Sequence, residues 1–100
     1  MNKPHQIVDL FDRIRRCVDK EQYTQTKHAL QRHKERGIDL SDALYVLKTG
    51  HHEKRKTSFD AINNTWKYAI RGRTVDNADL RIIIAFDEDD MIIITVIEIL

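Results

Sequence analysis

The residues best suited to chemistry lie in a polar helical segment, where a histidine precedes an arginine by four positions. His28 and Arg32 recur at the helical period, and Arg36 extends the same face. A histidine exchanges a proton near neutral pH, and an arginine holds two phosphate oxygens in its planar fork. The pair therefore suits acid–base work on a phosphodiester. The structural alternative is that His28 makes a hydrogen bond where the helix packs on a sheet.

A second group of candidates lies in a segment where aromatic residues alternate with cations. Trp66 and Tyr68 alternate with Lys67, and Arg71 and Arg73 follow. Aromatic rings beside cations suit stacking on bases together with neutralisation of phosphate. The same aromatic residues can instead belong to the core, because alternation places them on one face of a strand. Both interpretations remain open for Tyr68 and Arg71.

A basic run precedes this alternating segment. Lys54, Arg55 and Lys56 are consecutive, and Glu53 is the acidic residue that offsets them. Such a run attracts the phosphate backbone of a nucleic acid and gives an affinity that falls with salt. It can equally be a solvated loop, which is the commoner role of a charge run.

Metal and cofactor chemistry fit the sequence poorly. His28 and His33 do not share a helical face, and the adjacent His51 and His52 would point to opposite sides of a strand. No cluster of cysteines or carboxylates completes a tetrahedral ligand set. The sequence also has no phosphate-cradling glycine loop, dinucleotide fingerprint or Gly-x-Ser-x-Gly turn. We therefore expect no metal ion and no cofactor, and we expect the single cysteine, Cys17, to be a buried thiol.

Helices in the first half of the sequence would position the histidine–arginine pair. Apolar residues recur at three- and four-residue steps in the first helix, while capping residues and glycines bound the second and third. These patterns predict helices at residues 5–20, 23–36 and 41–49.

The second half of the sequence predicts a short antiparallel sheet. The alternating segment gives a strand over residues 65–71, and two β-branched runs form a hairpin around an acidic four-residue loop at 87–90. An edge strand near residues 52–59 would be a fourth. The 100 residues thus predict one α+β domain, with two to three N-terminal helices packed on a three- to four-stranded antiparallel sheet.

The charges are distributed unevenly along the chain. Residues 1–75 hold 16 Lys/Arg against 9 Asp/Glu, whereas residues 76–100 hold 1 Arg against 7 Asp/Glu. A basic body of this kind can meet an anionic partner on one side. The alternative is that both regions are ordinary solvated faces. No segment reaches the length of about 20 apolar residues that spans a bilayer. We expect a cytoplasmic protein that does not bind a membrane.

Two short motifs and a closing strand carry a family resemblance. Residues 28–32 read His-Ala-Leu-Gln-Arg, residues 36–38 read Arg-Gly-Ile, and a short helix then ends at Gly50. Residues 92–97 read Ile-Ile-Ile-Thr-Val-Ile at the end of an apolar hairpin. Over residues 23–99 this arrangement resembles an uncharacterised bacterial domain family with a His-Ala-x-x-Arg helix and an Arg-Gly-Ile turn.

That family is similar in layout to RelE-like toxins of toxin–antitoxin modules and to toxins of the motility quorum-sensing regulator type. The resemblance implies a metal-independent endoribonuclease that cleaves messenger RNA, and a cognate antitoxin as its protein partner. His28 and Arg32 match the family motif, while Tyr68 and Arg71 match the region where the toxins place polar catalytic side chains. The C-terminal basic residue common in such toxins is replaced here by an apolar end, at Leu100.

We therefore predict an RNA-cleaving toxin in which His28 is the acid or base and Tyr68 is a donor or stacking group. Arg32 and Arg71 would stabilise the charge on the phosphate. The alternative is a non-catalytic RNA- or protein-binding module related to such toxins. In the toxin, four further cations would position the RNA backbone: Lys54, Lys56, Lys67 and Arg73. In the binding module, the basic side would supply affinity and the isoleucine-rich sheet an interface.

Overall fold

The computed structural model describes residues 3–100, and its helices all lie in the first half of that range. Their bounds are α1 (Leu10–Asp19), α2 (Lys27–Arg36) and α3 (Leu40–Thr49). The strands are β1 (Tyr23–Gln25), β2 (His51–His52), β3 (Ser58–Asp60), β4 (Thr65–Arg73), β5 (Asp79–Asp87) and β6 (Asp90–Glu98). A short 3-10 turn, Lys54–Lys56, joins β2 to β3.

Local signals account for the ends of two helices. The Thr26 side chain caps α2 by accepting a hydrogen bond from the Ala29 N–H, and Gly37 ends the helix at a φ of 67°. Asp39 and Asp42 form a capping box at the start of α3. Thr26 and Gly37 thus set the two ends of α2, and Asp39 sets the start of α3.

Two predicted helices start later than expected. The first begins at Leu10 instead of residue 5, because residues 3–9 run as an irregular segment against the sheet. The second begins at Lys27 instead of residue 23, because Tyr23–Gln25 pairs with β6 as β1. In α1, Cys17 is 2% exposed as predicted, and this burial raises the pKa of its thiol.

The strands form one sheet with the order β1-β6-β5-β4-β2, and β3 pairs with part of β4. All neighbouring strands are antiparallel except β1 and β6, which are parallel. The α+β class is therefore confirmed, but the sheet has six strands and is mixed, rather than a purely antiparallel sheet of three or four. The additional strands are two or three residues long, so they carry no alternation that a sequence reading can detect.

The predicted hairpin forms with a shorter loop than expected. Asp87 pairs with Asp90, which leaves a two-residue turn whose first residue, Glu88, has a φ of 57°. The register shifts between Ile83 and Ile84, so Ile94 is an additional residue in β6. Such a β-bulge bends its strand and is frequent beside functional sites.

The two faces of the sheet differ in character. On the helix-covered face, apolar side chains from β4, β5 and β6 join those of the helices in one core, as at Ile70, Ile82 and Ile93. Alternation turns the intervening residues to the other face, which we call the open sheet face. It carries Arg71 and Arg81 at one end and half-buried isoleucines such as Ile83 and Ile97 further across.

Within residues 3–100, none of the helices has both the length and the apolar character that a membrane span requires.

Candidate active site

Three polar side chains form a row across the open sheet face. The register pairs His51 with Arg71, and Arg71 with Arg81, on the adjacent strands β2, β4 and β5. Directly opposed residues project to the same face and have Cβ atoms about 4.5–5.5 Å apart. The row therefore places one histidine and two guanidinium groups side by side.

A carboxylate joins the two arginines of this row. Arg81 donates from Nε and Nη2 to the two oxygens of Glu53, at 2.6 and 3.1 Å, and Arg71 Nη1 donates to Glu53 Oε2 at 3.1 Å. Like charges directly opposed across two strands repel each other. Glu53 offsets this repulsion and holds both guanidinium groups in a fixed arrangement.

Asp79 completes the cluster from the other side of Arg71. The Arg71 Nε and Nη2 groups donate to the two Asp79 carboxylate oxygens at 2.9 and 2.7 Å. We call the four residues Glu53, Arg71, Asp79 and Arg81 the arginine hub. Their side chains keep between 17% and 29% of their surface exposed, so a phosphate group from solvent can reach them.

The hub also sets the ionisation of its carboxylates. Hydrogen bonds from Arg81 and then from Arg71 lower the pKa of Glu53 to about 2, although burial acts in the opposite direction. The hydrogen bond from Arg71 likewise lowers the pKa of Asp79. Both carboxylates are therefore ionised at neutral pH and act only as hydrogen-bond acceptors.

Two glycines allow β2 to approach β4 closely enough to build this row. A Cβ atom at Gly50 would collide with the backbone carbonyl of Arg71, and one at Gly72 would lie 3.0 Å from the Gly50 Cα. Glycine at both positions therefore permits the pairing that sets His51 beside Arg71.

A basic turn is attached beside the hub by its two ends. At one end the Glu53 N–H donates to the Ala69 carbonyl at 2.8 Å, and at the other the Ala69 N–H donates to Thr57 Oγ1 at 3.1 Å. Lys54–Lys56 lies between these anchors and is exposed. The fold thus presents three consecutive cations at the β2 edge of the sheet, next to the hub.

Of the predicted catalytic residues, Arg71 lies in the hub but Tyr68 does not. Tyr68 is on the helix-covered face, where its side chain is 3% exposed and its hydroxyl accepts a hydrogen bond from the Ile7 N–H at 2.9 Å. Its ring contacts those of His52 and Phe86. Residues 68 and 71 differ by an odd number, so one strand directs them to opposite faces.

The other predicted catalytic residues, His28 and Arg32, lie on α2 at the far edge of the sheet. The chain enters α2 directly from β1, and three strand spacings, about 14 Å, separate β1 from β4. His28 is exposed and Arg32 is half-buried. The structure therefore does not bring His28 and Arg32 together with Arg71 around one phosphate group.

The histidine next to them has a structural role. Both ring nitrogens of His33 are hydrogen-bonded, Nε2 to the Gln25 side chain at 2.6 Å and Nδ1 to the Ile38 carbonyl at 2.8 Å. This arrangement holds α2 to β1 and to the turn that follows α2.

The predicted RNA-binding residues all lie on or beside the open sheet face. Lys54 and Lys56 belong to the exposed turn, and Arg73 is exposed at the end of β4. Lys67 is four residues before Arg71 on the same face, about 13 Å along the strand, and its Nζ lies 3.5 Å from an Asp60 carboxylate oxygen. These four cations thus add positive charge beside the hub, in which the two arginines and the two carboxylates balance.

Sequence reasoning missed His51, Glu53 and Arg81 as site residues. The spacing of His51 and Glu53, two positions apart, is a weak sign that they share a strand face. Arg81 is the one charged residue within the apolar run from Leu80 to Phe86, which is a stronger sign of a special role. Within residues 3–100, histidine, cysteine and carboxylate side chains form no group of three that could hold a metal ion.

Comparison with known families adds one match. The family described as "Domain of unknown function (DUF4258)" matches residues 25–98, which contain α2, α3, the basic turn and the whole hub. Residues 3–24, with the irregular N-terminal segment and α1, lie outside the match. No curated protein matches the chain.

Proposed function

The chain belongs to the DUF4258 family, and we propose that it is a metal-independent endoribonuclease of the toxin type that acts on RNA at the arginine hub. One observation carries the proposal: Glu53 is held between Arg71 and Arg81, and His51 lies in the same row. With messenger RNA as substrate, the protein would act in the cytoplasm and have an antitoxin protein as its partner.

These residue types match what RNA cleavage requires. Attack by the 2′-hydroxyl needs a proton acceptor, a proton donor for the leaving oxygen, and cations for the charge that grows on the phosphate. Glu53 would accept the 2′-hydroxyl proton, and His51 would give a proton to the 5′-oxygen. The O2′–P bond forms while the P–O5′ bond breaks, which leaves a 2′,3′-cyclic phosphate.

Substrate binding would itself activate the acceptor. A phosphate group competes with Glu53 for the N–H groups of Arg81, because both are anions that suit a guanidinium fork. Once Arg81 turns to the phosphate, Glu53 loses the hydrogen bond that contributes most to its low pKa. Its pKa then rises from about 2 toward the ordinary value of a carboxyl group, and it becomes a better base.

RNA that runs from the hub to the β1 edge of the sheet would reach α2, which directly follows that edge strand. Leu30 and Lys34 lie on the flank of α2 that lines a cavity with Ile38 and Leu40, at the side of α3. The helical period places His28 and Arg32 on the other flank. We therefore assign His28 and Arg32 to RNA binding at a second phosphate, away from the hub.

Two observations favour a second candidate function, a non-catalytic binding module for RNA or protein. Each arginine of the hub already makes a bidentate ion pair with a carboxylate. The hub would then have a structural role alone, which is to hold the basic turn against the sheet. The open sheet face also carries half-buried isoleucines such as Ile83 and Ile97, whose exposed parts are apolar. A bound partner would cover this face.

Induced expression in a bacterial host, with growth and RNA integrity followed together, separates the two candidates. We expect the unmodified chain to arrest growth and fragment RNA, and we expect Glu53→Gln and His51→Ala to abolish both effects. Glu35→Gln is the matched control, because Glu35 is an exposed α2 residue that accepts a hydrogen bond from Gln31. Normal growth and intact RNA with the unmodified chain in soluble form would instead favour the binding module.

A further inference from the structure

The irregular N-terminal segment lies over a row of aromatic side chains. We call residues 3–9 the strap, and we call Phe59, Trp66, Tyr68 and Phe86 the aromatic row. Phe59 and Trp66 meet edge-to-face with ring centroids 5.3 Å apart, and Tyr68 and Phe86 do so at 6.1 Å. The rings belong to β3, β4 and β5 at the end of the sheet near the β5–β6 turn.

The backbone of the strap forms hydrogen bonds with the polar groups of this row. The Trp66 Nε1–H donates to the Pro4 carbonyl at 2.7 Å, and the Tyr68 hydroxyl accepts from the Ile7 N–H at 2.9 Å. Both aromatic side chains thus have a polar group satisfied by a neutral donor or acceptor that any amide-like molecule could supply.

The strap also places a cation over the rings. Lys3 Nζ lies 5.5 Å from the centroid of Phe59 and 5.7 Å from that of Trp66. A cation in this position covers the ring faces on which a flat molecule would otherwise stack. Lys3 therefore blocks stacking as long as the strap is in place.

These contacts are few, and the Trp66–Pro4 hydrogen bond is exposed, while the Tyr68–Ile7 bond is partly buried. Apart from Ile7, which is half-buried against the core, residues 3–9 are exposed, and Val8 keeps 99% of its surface exposed. Neutral hydrogen bonds and exposed cation–π contacts each contribute little net stability in water. The strap can therefore leave the aromatic row without unfolding the sheet.

Nucleobases match what the strap provides. A base carbonyl can accept from Trp66 Nε1–H, a base amino group can donate to the Tyr68 hydroxyl, and the flat base can stack where Lys3 now lies. A cavity of about 260 Å³ beside the row is lined by Arg13, among others, whose guanidinium group lies 4.9 Å from the Phe86 ring centroid. This cation could neutralise a phosphate attached to a stacked base.

The aromatic row and the hub lie on opposite faces of the sheet, and the basic turn lies between them at the sheet edge. Lys54 and His52 line the cavity beside the strap, and Lys54 begins the basic turn that follows Glu53. The aromatic row falls within the family match at residues 25–98, whereas the strap falls outside it. An RNA strand that passes over the basic turn could therefore contact both sites.

We propose that the aromatic row is a stacking site for the bases of single-stranded RNA, which the strap occupies in the RNA-free chain. The inference rests on the proposed function, because it names the base contacts that accompany phosphate binding at the hub. The strap must leave before a base can bind, so the apparent affinity is reduced by the fraction of molecules in which it is in place.

The test uses a strap variant in which residues 3–6 are replaced by Gly-Ser-Gly-Ser, which removes the Lys3 cation from the rings and loosens the segment over Trp66. Ile7 stays to preserve its packing, so the variant frees the Phe59–Trp66 end of the row and keeps the bond to Tyr68. The probe is a short single-stranded 2′-O-methyl RNA oligonucleotide, which cannot be cleaved. Trp66 is the single tryptophan, so its fluorescence reports on the row directly. We expect the strap variant to bind about tenfold more tightly, with quenching of Trp66 on RNA addition.

Matched variants and outcomes distinguish this inference from the proposed function. Trp66→Leu in the strap variant should remove the gain in affinity, and circular dichroism confirms that each variant is folded. Equal or weaker binding by a folded strap variant, while the unmodified chain still cleaves ordinary RNA, would overturn the stacking site alone. A complete failure of both chains to bind the oligonucleotide would overturn the stacking site and the proposed function together.

Discussion

The arginine hub and the aromatic row lie on opposite faces of β4 and are held by different kinds of interaction. In the hub, charged groups meet at 2.6–3.1 Å, and three of the four lie on strands while Glu53 directly follows one. In the aromatic row, neutral backbone groups of an exposed strap make the polar contacts. The hub is thus a preorganised cluster of charges, whereas the row has an occupant that can be exchanged.

This difference shows how one small sheet can carry a charged cluster on one face and aromatic side chains with neutral partners on the other. Charges that oppose each other across strands repel, and this repulsion is offset here by Glu53 between the arginines and by Asp79 beside Arg71. Aromatic side chains with one polar atom need only a single neutral partner each, which the strap supplies at little cost in stability. In the proposed function, phosphate recognition would therefore be built in, and base recognition would depend on release of the strap.

The largest change in stability is expected when the central carboxylate of the hub, Glu53, is removed. Glu53→Gln keeps the shape of the side chain but leaves Arg81 without a carboxylate partner, opposite Arg71, which keeps its ion pair with Asp79. We expect the free energy of unfolding to fall by about 2 kcal/mol, as measured by urea denaturation at neutral pH. Glu35→Gln should change it by less than about 0.5 kcal/mol. Equal effects of the two substitutions would mean that the hub does not hold the sheet together.

The pH dependence of that effect sharpens the comparison. The pKa of Glu53 is lowered from 4.5 to about 2 in the folded chain, so its stabilising contribution is complete above its unfolded-state pKa. The contribution is lost as the pH falls through the folded-state pKa. The difference in unfolding free energy between the unmodified chain and Glu53→Gln should therefore be constant above about pH 5 and shrink between about pH 5 and pH 2. A difference that grows on acidification would contradict the assignment.

On the other face, Tyr68→Phe removes the acceptor for the Ile7 N–H and keeps the buried ring. We expect a loss of about 1 kcal/mol in unfolding free energy, since one neutral hydrogen bond is broken. We also expect the Trp66 fluorescence maximum to shift to longer wavelength, because a loosened strap admits water to the row. An unchanged spectrum would show that the strap does not depend on Tyr68.

The smallest expected effect concerns the basic turn. Lys54→Gln should weaken binding of single-stranded RNA modestly and reduce the slope of log affinity against log salt by about 0.7, the contribution of one phosphate contact. Lys48→Gln is a suitable control, because Lys48 is an exposed cation paired with Asp19 on the helical side. A slope that changes equally in both variants would mean that the turn has no special contact with RNA.

The sequence predicted those parts of the fold that local patterns determine. The β-branched runs around residues 80–99 gave the hairpin, and alternation placed Trp66 and Tyr68 on one face of β4 and Lys67 and Arg71 on the other. The strands β1 and β2 were not predicted as such, because two or three residues become a strand only through a distant partner. Tertiary pairing, not propensity, decides such segments.

The candidate site was harder to predict for the same reason. Arg71 was identified from its position after an aromatic strand, but its partners His51, Glu53 and Arg81 are 20, 18 and 10 positions away. Only the register of β2 and β5 against β4 brings them together. The helical spacing of His28 and Arg32 was correctly identified, but spacing within one helix does not reveal how far that helix lies from the hub.

The central claim, that the hub cleaves RNA, is tested most directly by the products of purified chain acting on single-stranded RNA in the presence of EDTA. We predict fragments that end in a 2′,3′-cyclic phosphate, formed at least about a hundredfold more slowly by Glu53→Gln and at an unchanged rate by Glu35→Gln. Cleavage by folded Glu53→Gln at the rate of the unmodified chain, or no cyclic-phosphate product from the unmodified chain despite RNA binding, would contradict it.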